Sequence, residues 1–203
     1  MTKPTNVPES SPILAWHFLR DDQKLRDGRD APPDGHVLVH EGRIVPCASG
    51  LHASEDILNA LDYAPGHILC RVECWGTTVK ETDKLACGRR RILWRINAEP
   101  LLRQWARWCA LQVVHLWDPP EVVMDFLKTG DESLRAAAWA AARNAASSAA
   151  RAAARDIEVW PAASSAARAA SWDEYSDAAT VAQRTKLLEL IESARKEVYA
   201  NRT

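Results

Sequence analysis

The sequence predicts an α+β fold: an N-terminal mixed sheet-and-helix domain followed by an Ala-rich helical hairpin or three-helix appendage. Three observations carry this expectation. Short apolar runs bounded by Gly and Pro, one of them alternating apolar with polar residues, mark strands in the first part of the chain. Near residue 131 a Trp-, Pro- and Cys-bearing segment gives way to a tract that is mostly Ala, the strongest helix former. At 203 residues, 47% of them hydrophobic, the chain is long enough for one substantial core or for a compact domain with a helical extension. The organisation read from this is a flexible leader over 1–12, an α+β domain over 13–130 and an Ala-rich helical region over 131–203.

The elements follow in order. The leader holds three prolines among small polar residues. Ile13 to Leu19 is short, apolar and aromatic, as a buried strand is. Asp27-Gly28 and Pro33-Asp34-Gly35 mark turns, His36 to His40 reads as a second strand, and Arg43-Ile44-Val45 reads as its hairpin partner across Glu41-Gly42. Ser54, followed by Glu55 and Asp56, is the expected cap of a helix with Ile57, Leu58, Ala60 and Leu61 on its apolar side, ended by Pro65-Gly66. From His67 to Trp75, Ile68, Cys70, Val72 and Cys74 alternate with Leu69, Arg71 and Glu73, a strand with unequal faces. Periodicity leaves helix or strand open over Asp83–Cys87; Arg89 to Ile96 is read as strand. Leu101 to Leu116 carries Trp105, Trp108, Cys109, Gln112 and Val113 at helical spacing, and Glu121 to Leu127 is a short helix closed by Gly130. Asp131 caps the next helix. The string AASSAARAA occurs at Ala145–Ala153 and again at Ala162–Ala170, with Pro161 between the copies, which places them on two helices. A last helix runs from about Asp173 to Tyr199.

Composition narrows the function classes. With 26 basic and 27 acidic residues the formal net charge is -1, so bulk electrostatics favour neither direct nucleic-acid binding nor a membrane surface. Five cysteines are an odd number, best read as reduced thiols of a cytoplasmic protein. Cys70 and Cys74 share a strand face, with Cys47 and Cys87 elsewhere, but the spacings are unlike those of zinc motifs and no metal is expected. The first residues are not built like a signal peptide, and no run approaches the length of a membrane span.

Two resemblances add chemistry and setting. Ala15-Trp16-His17 on a first strand, Gly50-Leu51-His52-Ala53-Ser54 leading into a helix, and Tyr63 on that helix resemble the nicotinamide-binding half of the ADP-ribosyltransferase fold. That resemblance implies NAD as cofactor, with His17 on a ribose hydroxyl and Tyr63 stacked on nicotinamide. His52 stands where that family has a first Tyr, eleven residues before Tyr63, and Phe18-Leu19 replaces the Gly-Ser that follows its strand His. Glu73, Glu81 and Glu99 are the candidates for its catalytic Glu. Over the whole chain, Trp16-His17-Phe18, Cys47-x-x-Gly50-Leu51-His52-Ala53-Ser54, Tyr63-Ala64-Pro65-Gly66, Asp83-Lys84 and Trp117-Asp118-Pro119 resemble a family of uncharacterised phage and prophage proteins. This implies an accessory protein of a mobile element, acting in the bacterial cytoplasm on a host protein or ribonucleoprotein, for instance as an inhibitor of a CRISPR effector complex.

The partner-binding candidates come from the residues themselves. Arg89, Arg90, Arg91 and Arg95, with Trp94 among them, combine charge with a stacking ring. Trp139, Trp160 and Trp172 are bulky side chains within a small-residue tract, suited to anchor one helix on another or on a partner. Ala-rich faces also permit pairing between two copies of the chain. Binding without a cofactor is the expected activity, and ADP-ribosyl transfer is the alternative.

Overall fold

The structure is a computed structural model that describes residues 11–112, 114–116, 118–144 and 175–200. The sheet is antiparallel and five-stranded: β1 (Ile13–Leu19), β2 (Val37–Val39), β3 (Leu51–Ala53), β4 (Ile68–Lys80) and β5 (Leu85–Asn97). Its order is β1-β4-β5-β2, and β3 also pairs with β5. β4 and β5 are thirteen residues each and form the spine, joined by a turn in which the Glu81 N–H donates to the Lys84 carbonyl. The long β5 takes β3 beside Leu85–Cys87 and β2 beside Arg89–Arg91.

One further pairing turns this sheet back on itself. Trp16 of β1 and Ser54, just after β3, exchange backbone hydrogen bonds of 2.7 and 3.0 Å. A ring of β1, β4, β5 and β3 results, and its interior is the apolar core: Ala15, Leu19, Ala53, Cys70, Val72, Cys74, Leu85, Cys87 and Ile92, with Leu25 from a covering loop. Along β1 and β4 these side chains occupy alternate positions, whereas in β5 the irregularity beside Trp75–Thr78 changes the phase between Cys87 and Ile92.

The local rules fail where pairing is long-range. Ser54 does not cap a helix, because its backbone is committed to Trp16; Asp56 caps α1 (Ile57–Asp62) instead, its carboxylate accepting from the Leu58 N–H at 2.8 Å. Arg43–Val45 is not the partner of the second strand. β2 pairs with β5, and Val45 closes a tight loop with Ser49; Pro46, which has no N–H, cannot extend a ladder there.

The chain divides into two compact units, one running to Glu99 and resuming at Glu192, the other spanning Pro100–Ile191. The change of composition at residue 131 falls inside the second unit. α2 (Glu99–Gln112) is capped by Asn97, whose side-chain oxygen accepts the Glu99 N–H at 3.0 Å, and has Pro100 in its first turn. A 3-10 turn, Val114–Leu116, follows. α3 (Glu121–Thr129) ends at Gly130 with φ 70°, a left-handed cap that glycine adopts without strain. Asp131 caps a second 3-10 turn, Glu132–Leu134, which leads into α4, helical over 135–144. α5 (Tyr175–Ala200) buries Leu187 and Ile191, and the Trp105 indole N–H donates to the Gln183 carbonyl at 2.9 Å. Both copies of the Ala-rich repeat, with Trp160 and Trp172, lie outside the described residues. Among the described residues no helix is long and apolar enough to cross a membrane.

Candidate functional site

Strand alternation takes the arginine run apart. Arg90 lies opposite Cys74 and faces into the ring; it is 4% exposed and so is not on a surface face, as its place in a basic run suggested. Its neighbours Arg89 and Arg91 lie on the outer face, opposite Trp75 and Glu73. A bulge, in which Leu93 is the extra residue of β5, then brings Arg95 opposite Cys70. There Arg95 is held in place: its Nε donates to Asp34 at 2.7 Å, and its terminal nitrogens reach the Pro32 carbonyl and Gln23.

His17 and His52 come together around Arg90. The Arg90 Nη1 donates to the His52 carbonyl, while the His52 Nε2 accepts from the Cys47 N–H at 3.1 Å and its ring also bonds the Gly50 carbonyl. These bonds tie His52 to a loop in which Cys47 has φ 64° and Gly50 φ 119°. His17 is half-buried on β1, opposite Cys70. Burial, then the Arg90 charge, then His52 push its pKa well below the usual histidine value. Burial, then Arg90, also lower that of His52.

A pH dependence follows. Above about pH 6.5 both imidazoles are neutral in the folded and unfolded chain. Below it the unfolded chain takes up protons that the folded one refuses, so folding stability falls as the pH drops, by at most about 1.4 kcal/mol per unit for each histidine. Urea denaturation between pH 7 and 5 is expected to show a slope that is shallower in His17→Gln. An identical slope in the variant refutes the assignment to His17.

Tyr63 takes no part in this cluster. It is 52% exposed at the end of α1, and its hydroxyl donates to Asp83 and accepts from the Lys84 ammonium at 3.1 Å, which also lies 5.0 Å from its ring centroid. Hydrogen bonding to Tyr63, first among several causes, lowers the Asp83 pKa and raises that of Lys84. Of the candidate glutamates, Glu73 is on the outer face in an ion pair with Arg91, Glu81 pairs with Lys84 at 3.1 Å in the β4–β5 turn, and Glu99 opens α2.

The outer face is a ladder of rings and cations. Arg71, directly across from Trp16, has its guanidinium carbon 4.2 Å from that ring's centroid. Trp16 and Trp94 meet edge to face, 5.9 Å between centroids. Arg91 lies 5.8 Å from Trp75, and Arg195, near the end of α5, 5.7 Å from Trp94. Beside Trp94 is an open groove of about 590 Å³ lined by Leu93, Trp94, Arg195, Lys196, Tyr199 and Ala200. In the second unit Trp139 is 62% exposed, with Arg143 4.7 Å from its ring.

Residues 13–104 match the family model of a domain of unknown function, DUF7666. No curated protein and no solved structure matches the chain. The DUF7666 span runs from β1 into α2, so it holds the Arg90 cluster, Tyr63 and the outer ladder of Trp16, Arg71, Trp75, Arg91 and Trp94. Trp139 and the α5 residues of the groove lie beyond it. The β5 part of the ladder, Arg91 and Trp94, was singled out in the sequence; the β4 part was missed, although its signal was present: Arg71, Glu73 and Trp75 occupy alternate positions of a strand with unequal faces.

Proposed function

We propose that this protein works by binding a macromolecular partner, as an accessory protein of a mobile element that docks on a host protein or ribonucleoprotein. The observation that carries the reading is the outer sheet face. Tryptophans there are half-buried and interleaved with arginines, the two residue types most enriched at interaction hot spots, and an open groove continues the face. Arg71, Arg89, Arg91, Arg195 and Lys196 outnumber Glu73 and Glu192 on it, so the fitting partner surface is acidic with apolar side chains between the carboxylates. A bacterial defence complex of the CRISPR effector type is the target class in keeping with the resemblance to phage proteins. The test is retention of the purified chain on immobilised effector complexes. Wild type is expected to be retained and Arg71→Glu to pass through; equal retention of both, or none of either, ends this reading.

A second reading, NAD-dependent ADP-ribosyl transfer, draws on one observation, the meeting of His17 and His52 at a buried cation. It needs Tyr63 to leave Asp83 and Lys84. Release of nicotinamide from NAD that His17→Ala abolishes supports this reading, and no release by the wild type ends it.

A further inference from the structure

Arg90 is a buried cation with no carboxylate counter-charge among the described residues. Among the described residues no carboxylate pairs with it: the acids nearby in the sheet are engaged elsewhere, Glu73 with Arg91, Asp34 with Arg95 and Glu55 with Lys80. Its surroundings are the thiols of Cys70, Cys74 and Cys87, of which Cys87 has its pKa lowered, first by a hydrogen bond from Cys74 and further by the Arg90 charge, and two histidines that its own charge helps to keep neutral. An unpaired charge in a protein interior is among the most expensive arrangements a fold can hold.

The geometry of the guanidinium says what is missing. Nη1 donates to the His52 carbonyl, whereas Nε is fully buried and has no partner, and no bond is formed on the Nε/Nη2 edge. That edge is the one by which Arg29 grips Asp27 and Arg91 grips Glu73 in this same chain, Nε and Nη2 converging on one carboxylate oxygen in each pair. It is a planar fork matched to two oxygens of one oxyanion. His17, opposite Cys70 on β1 and within electrostatic reach of Arg90, adds a ring that forms no hydrogen bond among the described residues and is half-buried. We infer that Arg90 and His17 form a binding site for a phosphate-class oxyanion, chelated by the Nε/Nη2 edge of Arg90 and hydrogen-bonded by the His17 ring.

The site is separate from the outer face and does not depend on a macromolecular partner. It is tested by calorimetry with inorganic phosphate and, in parallel, ADP-ribose, against sodium chloride at equal ionic strength, on wild type, Arg90→Met and Arg90→Lys. Wild type is expected to bind at least one of the two phosphate compounds saturably, and both variants to bind it at least tenfold more weakly, because methionine lacks the charge and lysine the fork. Binding of ADP-ribose alone identifies a ligand-borne phosphate as the source, and binding of inorganic phosphate a free anion. No saturable binding of either at millimolar concentration, the same response to chloride, or undiminished binding in Arg90→Met overturns the inference. Should the variants fail to fold, the His17 ring resonances of the wild type decide: a shift on phosphate or ADP-ribose addition that chloride does not give supports the site, and unchanged resonances overturn it.

Discussion

Ile92→Ala is expected to lower the unfolding free energy by about 2–5 kcal/mol, read as a shift in the midpoint of urea denaturation with little change in slope. Ile92 is 1% exposed, lies opposite Val72 at the middle of the ring, and its carbonyl accepts the Gly35 N–H at 2.7 Å. Removing its outer carbons leaves a cavity that the sheet cannot close, because β4 opposite it is held by β1 on one side and β5 on the other. The loss is a large share of the roughly 5–15 kcal/mol that holds a domain of this size together. Val79→Ala removes carbon from the same sheet, but Val79 is 37% exposed near the end of β4, and the expected cost is below about 1 kcal/mol. Equal effects at the two positions would show that the ring interior is not the core that holds the sheet.

Trp94→Ala is expected to weaken partner binding by at least about 2 kcal/mol, roughly thirtyfold, measured by surface plasmon resonance on the immobilised partner. Its ring touches Trp16 edge-on, lies under Arg195 and lines the groove, so it joins the ladder to the open part of the outer face. Truncation removes the largest side chain lining the groove and loosens Arg195, which is stacked on it. Trp139→Ala is the control. Trp139 is more exposed, yet it stands on a helix of small residues with, among the described residues, Arg143 at its ring, and its loss is expected to change affinity less than threefold. The reverse ranking would move the interface to the second unit and away from the sheet.

How far the sequence disclosed the site can be followed along β5. Its strand character was legible, since Arg89 to Ile96 mixes charged with branched and aromatic residues, and the period of two alone implies that adjacent arginines face opposite ways. Which of them faces inward is not a local property. It depends on pairing with β4, on β2 on the other side, and on the Leu93 bulge that changes the phase before Arg95. The histidine pair was visible as two positions 35 apart; that both meet Arg90, and that Tyr63 does not, depends on the exchange of hydrogen bonds between Trp16 and Ser54 and on the hold of Asp83 and Lys84 on the Tyr63 hydroxyl.

The residues themselves determined the features that act over a few positions. β1, the two faces of β4, α3 with its stop at Gly130 and the cap at Asp131 follow from side-chain alternation, from glycine's tolerance of positive φ and from a carboxylate within reach of the next N–H groups. The partner of β2, the closure of the ring, the burial of Arg90 and the exposure of the tryptophan ladder were decided by the tertiary structure. Each depends on which strands, tens of residues apart, share hydrogen bonds, and that choice is made by the burial of one common core.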